Sequence, residues 1–334
     1  LMRRPPALTY AGGDVRAWQR ELRRRLRRRI GWDRFAHGPD RTPLRPRTLW
    51  RREHALGTIE KIAFTSEPGC DVVGYWCEPH RPLEPMTTFI CLQGHSTGMH
   101  NSIAVSAEDE ATPIEVEGDR DFAIGAMERG VAALCIEQRA FGQRAERQQQ
   151  RINNPGSHIT CHEATLHALQ LGRTMVAERV YDLDRAIDYL AQRGDVNMKR
   201  IGLMGNSGGG TISLFGAAVL RRVRLVMPSC YFCTFADSIM RIHHCLDNYV
   251  PGLLADAEMY DVAGLIAPRP VVMVSGETDD IFPIDAARRA FRKLKTIYKA
   301  AGAGDRCRHV VGPEGHRFYA KPGWDAMQKL IEGA

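Results

Sequence analysis

Gly205-Asn206-Ser207-Gly208-Gly209 follows a short apolar run, 201–204, and precedes a helix-forming run, 211–220. The pentapeptide has the pattern Gly-x-Ser-x-Gly at a predicted strand-to-helix turn. Such a sharp reversal needs glycine, because a Cβ at Gly205 or Gly209 would collide with the opposite limb of the turn. The pattern predicts that Ser207 has a strained backbone and an exposed hydroxyl at the carboxyl edge of a sheet. A phosphate-binding loop fits less well, since the lysine of a P-loop is missing.

From residue 57 onward, short apolar runs alternate with helical patterns. Strands are predicted at 57–64, 71–77, 87–92, 131–136, 200–204, 224–228, 270–275 and 307–311. Helices are predicted at about 121–129, 171–193, 208–221, 284–300 and 323–332. Several of the strand runs are apolar almost throughout, as parallel strands covered on both faces are. The alternation predicts an α/β fold with a mostly parallel, doubly wound sheet of about eight strands.

Ser207 needs a base and an acid, because a serine hydroxyl is a weak nucleophile near neutral pH. In proteins with a Gly-x-Ser-x-Gly turn, the acid follows the serine in the chain and the histidine follows the acid. Asp279 stands in the turn after the predicted strand 270–275, and His316 follows the strand 307–311. We therefore predict a catalytic triad of Ser207, Asp279 and His316.

Two neighbouring residues compete for these roles. Asp280 follows Asp279 directly, and we expect it to act as a cap or to be solvated. His309 precedes His316 but lies within a predicted strand, where a half-buried structural histidine is expected.

An acyl-transfer site also needs hydrogen-bond donors for the oxyanion that forms in the transition state. The backbone amide of Gly208, directly after the nucleophile, is one candidate. The second is expected from the loop 93–98, which follows the strand 87–92. We favour the amide of His95, with Ser96 as the alternative.

These motifs resemble those of a known family. The residues that carry the resemblance are Cys91-Leu92-Gln93-Gly94-His95, Arg200 to Gly210, Ala267-Pro268-Arg269-Pro270, Gly276 to Asp279 with Phe282-Pro283, and Gly315-His316. Residues 57–334 resemble the α/β-hydrolases, and among them bacterial esterases grouped with dienelactone hydrolases, acetyl xylan esterases and prolyl-oligopeptidase-like enzymes. The resemblance implies a serine hydrolase of esters, often of small acyl groups, that uses no cofactor. Serine hydrolysis needs no metal, and none is expected.

The favoured function is a serine carboxylesterase that cleaves short acyl esters, with acetyl esters of sugars among the candidate small-molecule substrates. A prolyl-oligopeptidase-like peptidase is one alternative, although 56 N-terminal residues are too few for the propeller domain that such enzymes carry. A binding protein with a basic arm and a vestigial triad is the other alternative.

An insertion at 229–267 is expected to form a cap that shapes the pocket. His243, His244 and Tyr231 are the candidate pocket residues. The segment also contains Cys230 and Cys233 at Cys-x-x-Cys spacing, and Cys245 directly after the two histidines. This spacing also fits a zinc site or a redox pair, but the surrounding apolar residues favour packing.

The positive charge is concentrated at the N-terminus. The chain has a net charge of +7, whereas residues 1–56 alone have a balance of +11 and the remainder has −4. Asp14 can cap a helix that ends at about Ile30 and carries one apolar stripe. We interpret 1–56 as a basic helical arm and linker, and 57–334 as the catalytic domain. The stripe suggests packing or a homo-oligomer through the arm; without aromatic stacking residues among the arginines, nucleic-acid binding is not expected.

The nine cysteines are odd in number and scattered along 334 residues, which is not typical of a secreted disulfide scaffold. No window approaches the ~18 apolar residues of a membrane span, and no signal peptide is visible. The sequence therefore favours a cytoplasmic enzyme that binds neither membranes nor nucleic acids.

Overall fold

The computed structural model describes residues 5–95, 97–145 and 160–332. Within these ranges the chain forms one sheet of nine strands, β1 to β9. In chain order the strands are Arg47–His54, Gly57–Glu67, Cys70–Pro79, Thr88–Leu92, Ala132–Ile136, Ile201–Asn206, Leu225–Ser229, Val271–Gly276 and Cys307–Gly312. The eight predicted strands correspond to β2 to β9.

The sheet has the strand order β1-β2-β3-β5-β4-β6-β7-β8-β9. The first three strands pair antiparallel, and β3 pairs antiparallel with β5. All pairs from β5 to β9 are parallel. The carboxyl ends of β4 and β6 to β9 therefore meet at one edge, where an open parallel sheet places its ligands.

Helices cover both faces of this sheet. The helices α1 to α9 are Val15–Ile30, Phe122–Met127, Thr160–Gln170, Met175–Arg193, Gly208–Val219, Leu253–Asp256, Met259–Gly264, Ile284–Ala300 and Ala320–Glu332. One core lies under α1, α4, α5, α7 and α8, and a second lies under α2 and α9. No helix in the described ranges has the length and apolar content needed to cross a bilayer.

The N-terminal helix α1 packs against its own chain. Leu22, Leu26 and Ile30 on its apolar stripe are fully buried in the core that α1 shares with α5 and α7. Arg23 donates to the carbonyl oxygens of Ala218 (2.9 Å) and Leu265 (2.7 Å). The apolar side chains of the stripe are thus buried within their own chain. The prediction of a homo-oligomer through this arm is not supported.

The segment 1–56 also contains a strand that the sequence interpretation missed. Residues 47–54, assigned there to the arm and linker, form the edge strand β1 and pair with β2 from Arg47–Ala63 to His54–Gly57. The strand is exposed along most of its length. Backbone pairing rather than burial therefore holds it in the sheet, which explains why no apolar pattern marks it.

Candidate active site

Ser207 lies in the turn between β6 and α5 with a backbone conformation of φ 56° and ψ −119°. A positive φ is strained for a residue with a side chain. A Cβ on Gly205 would lie 2.6 Å from the backbone carbon of Gly209, and a Cβ on Gly209 would lie 2.0 Å from the Leu92 carbonyl oxygen. Gly205 is thus needed where the turn approaches itself, as predicted from the motif, whereas Gly209 is needed where the turn approaches the end of β4.

Asp279 and His316 meet at the same edge. His316 Nδ1 lies 2.9 Å from Asp279 Oδ2, and Asp279 Oδ1 accepts from the amides of Ile281 (3.0 Å) and Phe282 (3.1 Å). Burial opposes the charge on Asp279, but the bonds from His316 and Phe282 lower the pKa of Asp279 below its ordinary value. A charged carboxylate on Nδ1 leaves Nε2 of His316 as the nitrogen that can accept a proton.

The competing residues lie elsewhere. Asp280 is exposed to solvent. His309 Nε2 lies 3.0 Å from Ser275 Oγ within the sheet, and burial lowers the pKa of His309 to about 4. Of the two acids and two histidines, the structure therefore pairs Asp279 with His316.

The end of β7 connects the serine to the histidine. The Ser207 amide donates to the Ser229 carbonyl oxygen at 3.0 Å. Cys230, the residue after Ser229, donates from Sγ to the carbonyl oxygen of Arg317 at 3.0 Å, and Arg317 directly follows His316 in the chain. In the described part of the structure no hydrogen bond joins the Ser207 hydroxyl to His316. In ligand-free enzymes such bonds are often long and shorten when substrate binds.

The two predicted oxyanion donors flank Ser207. Gly208 begins α5, and among the described residues neither its amide nor that of His95 has a hydrogen-bond acceptor. The His95 ring lies against Gly208, since a Cβ there would be 3.0 Å from His95 Nδ1. Ser96, the alternative donor, lies outside the described residues.

A buried ion pair holds the His95 side chain. His95 Nε2 lies 2.9 Å from Asp247 Oδ2, and the same oxygen accepts from Arg179 at 2.7 Å. Burial opposes the charge on His95, but its bonds to Asp247 and Cys245 outweigh this and raise the pKa of His95 to about 9. Burial also opposes the charge on Asp247, yet Arg179 and His95 hold the pKa of Asp247 below its ordinary value. At neutral pH the loop after β4 therefore carries an imidazolium beside the start of α5.

Ser207 opens into a cavity of about 1270 Å³. His95, His243 and His244 line it together with Phe141 and Tyr249, so the insertion 229–267 contributes part of its wall. His243 lies exposed at the rim, whereas His244 is half-buried.

The imidazole of His244 has a defined tautomer. Asn248 Nδ2 donates to Asp247 at 2.9 Å and lies 3.1 Å from His244 Nδ1. Because an amide nitrogen only donates, Nδ1 accepts and the proton resides on Nε2. Burial and the charge of His95 lower the pKa of His244 to about 4, so the ring is neutral. Its Nε2–H is buried and has no partner among the described residues.

Three other residues of the insertion, Tyr231, Cys230 and Cys233, are not among those that line the cavity. Tyr231, predicted to line the pocket, is fully buried beneath α5, with its ring 5.4 Å from that of Phe282. Cys230 and Cys233 bond separate carbonyl oxygens, those of Arg317 and Pro283. Within the described ranges the Cys-x-x-Cys pair therefore does not converge with His243, His244 and Cys245 on one metal site.

Comparison with known proteins supports the topology. No family model matches the sequence. The chain is 25% identical over 288 residues to "Putative hydrolase YtaP" of Bacillus subtilis (strain 168), which covers 83% of this chain and 89% of that protein. A structure of "a putative acetyl xylan esterase" from Bacteroides fragilis NCTC 9343 superposes with a TM-score of 0.73 at 15% identity, over 92% of this chain and 79% of the other. The glucuronoyl esterase from Solibacter usitatus gives 0.66 at 15% identity, over 99% and 98%.

The chain has the α/β-hydrolase fold. At these identities the structural similarity establishes the fold and leaves the substrate open. In this α/β-hydrolase fold, the edge that carries Ser207, Asp279 and His316 is the edge at which the parallel strands end.

The sequence interpretation missed Asp247 and Arg179, which hold His95. They lie 68 positions apart, and Asp247 stands in a short turn without a recognisable motif. The sequence does give one hint of Arg179. It precedes Val180 on the core-facing side of α4, and a charged residue there needs a buried partner.

Proposed function

We propose that this α/β-hydrolase-fold protein is a serine carboxylesterase that works through an acyl-enzyme. The observation that carries the proposal is a strained Ser207 at the end of β6 on the same sheet edge as the 2.9 Å Asp279–His316 pair. Strain at this position holds the hydroxyl out of the turn, and the buried carboxylate keeps the imidazole oriented for proton transfer.

In the proposed reaction, Ser207 Oγ attacks the ester carbonyl while His316 Nε2 takes its proton. The His316 imidazolium that results is stabilised by Asp279 and then protonates the leaving alcohol. Water, activated by the same imidazole, attacks the acyl-enzyme and releases the acid. The amides of Gly208 and His95 would bind the oxyanion, and removal of one such donor commonly costs about 10²–10³ in kcat.

The imidazolium of His95 adds to this oxyanion site. Its ring lies against Gly208, and its pKa of about 9 keeps it charged at neutral pH. A fixed positive charge beside a developing oxyanion lowers the energy of the transition state.

His244 is proposed to face the bound substrate. A buried donor without an acceptor costs about 1–3 kcal/mol, so its presence in a pocket wall calls for an explanation. An ester that enters the cavity would supply the missing acceptor for Nε2–H.

The substrate class is proposed from the cavity and from the related proteins. Most small-molecule sites have volumes of roughly 300–1,000 Å³, and this cavity, at about 1270 Å³, has room for more than an acetyl ester of a small alcohol. The similar structures are named for acetyl xylan and glucuronoyl ester hydrolysis. We therefore propose short acyl esters, with sugar esters among them.

A burst of p-nitrophenol from p-nitrophenyl acetate tests the proposal. The wild-type protein is expected to show the burst, and Ser207→Ala to lose it. Ser106→Ala, at a residue that does not line the cavity, is expected to keep it. A substrate panel then compares acetyl to decanoyl esters, acetylated xylo-oligosaccharides, an ester of glucuronic acid and an aryl lactone. A p-nitroanilide in the same panel measures amide cleavage. A burst retained in Ser207→Ala, or no turnover on any ester, overturns the proposal.

A further inference from the structure

Two cysteines far apart in sequence meet in the wall of the cavity. Cys161, in the first turn of α3, and Cys245, directly before the turn 246–248, are 84 positions apart, and their Sγ atoms are 2.8 Å apart. Both side chains line the cavity into which Ser207 opens. Neither thiol takes part in a chemical step of the esterase mechanism proposed above, although Cys245 bonds the His95 side chain.

The surroundings of the thiol pair favour a thiolate over a metal ion. The hydrogen bond between the two sulfurs lowers the pKa of the Cys161 thiol below its ordinary value and outweighs burial and the charge of Asp247, which raise it. The positive charge of Arg179 acts in the same direction as the hydrogen bond. The carboxylate of this cluster, Asp247, already accepts from Arg179, His95 and Asn248. Although His95, Cys161, Cys245 and Asp247 lie within 4.8 Å of one another, a cation there would have to displace these bonds and lie near the Arg179 charge.

The thiol pair is also accessible in a way that the sheet cysteines are not. Cys245 is half-buried, and Cys161, although 7% exposed, lines the same cavity, whereas Cys77, Cys91 and Cys135 are at most 1% exposed within the sheet. An oxidant that enters the cavity can therefore reach the thiol pair but not the three cysteines in the sheet.

We propose that Cys161 and Cys245 form a redox-responsive disulfide across the cavity wall. The oxidant is a low-molecular-weight disulfide such as oxidised glutathione. The thiolate of Cys161 attacks one glutathione sulfur, forms a mixed disulfide and releases one glutathione thiol. Cys245 then gives up its proton and attacks the sulfur of Cys161, which releases the second glutathione. Two protein thiols are thereby oxidised, and one glutathione disulfide is reduced to two thiols.

The bond would link α3 to the turn that holds His95. Closure to a disulfide of about 2.05 Å requires the two sulfurs to approach by less than ~1 Å. Asp247, which bonds the His95 side chain, lies two positions after Cys245 in the turn 246–248. The disulfide would therefore link this turn covalently to α3. Because the bond closes a long loop of the unfolded chain, the oxidised protein is expected to unfold several °C higher than the reduced protein.

Thiol counting on the full-length protein tests this inference independently of any esterase activity. Reduced protein, freed of reductant, is incubated with oxidised glutathione and then alkylated under denaturing conditions. We expect the number of alkylated thiols to fall from nine to seven, the mass before alkylation to fall by 2 Da, and peptide mapping to join Cys161 to Cys245. Dithiothreitol should reverse the change, and Cys161→Ser or Cys245→Ser should prevent it.

Cys307→Ser, at a buried position at the start of β9, is the matched control and should still form the bond. Nine alkylated thiols after oxidation, a stable glutathione adduct, or a different linked pair would overturn the proposal. Stoichiometric zinc that is lost in both Cys161→Ser and Cys245→Ser would also overturn it in favour of a metal site.

Discussion

Asp279 and Asp280 are adjacent in the chain but face different surroundings. Asp279 is buried against His316, while Asp280 is exposed. We expect Asp279→Asn to lower kcat by about 10⁴, because an asparagine stabilises the wrong tautomer of the imidazole. The measurement is kcat for p-nitrophenyl acetate, with circular dichroism to check folding.

Asp280→Asn serves as the matched control for this change. It removes the same charge one position away and is expected to leave kcat within about twofold of wild type. Equal losses in both variants would mean that Asp279 does not orient the base.

The unpartnered donor of His244 gives a second prediction at the residue scale. His244→Phe keeps a ring against Phe282 but removes Nε2–H, so kcat/KM is expected to fall by about tenfold or more. The stability in urea should change little, because removal of the unpartnered Nε2–H offsets loss of the bond at Nδ1, and Asn248 keeps its bond to Asp247. His243→Phe, at the exposed rim, is the control and should cost much less; unchanged kcat/KM in His244→Phe would remove the donor role.

The triad that we propose could be predicted from the sequence because each of its members is tied to a position in the chain. Ser207 lies in a local motif, and Asp279 and His316 follow from the order of strand ends. The support of His95 could not be predicted in this way. Asp247 and Arg179 reach it from an insertion and from the second turn of α4, and only the folded chain brings these segments together.

At the scale of elements, α1 has a structural role within its own chain. Leu26 is fully buried in the core that α1 shares with α5, so Leu26→Ala is expected to lower the free energy of unfolding by about 2–5 kcal/mol. Arg28→Ala, on the exposed face, should change it by no more than about 0.5 kcal/mol. Urea denaturation measures both values, and equal effects would contradict the packing of the stripe.

Most elements were predictable because burial leaves a pattern in the sequence. The parallel strands β4 to β8 are buried along their full length and appear as apolar runs. The edge strand β1 carries Arg47, Arg51 and Arg52 and is mostly exposed. Its place in the sheet depends on main-chain bonds to β2, which composition does not reveal.

At the scale of the whole molecule, the buried ion pair of His95 joins three distant parts of the chain. It connects the loop after β4 to α4 through Arg179 and to the insertion through Asp247. The stability of the fold should therefore depend on the charge of His95. Its pKa of about 9 in the folded protein is above the ordinary value of 6.5, so the folded state binds this proton more tightly than the unfolded chain does.

The sign of the resulting pH dependence follows from this difference. The stabilisation is complete below pH 6.5 and is lost as the pH rises through about 9. Comparison with His95→Gln isolates the effect, because the variant has no titrating group at this position. The difference in the free energy of unfolding between wild type and His95→Gln should shrink by at most about 3 kcal/mol between pH 6 and pH 10. Urea denaturation across this range measures it, and a difference that stays constant or grows would show that His95 is neutral in the folded protein.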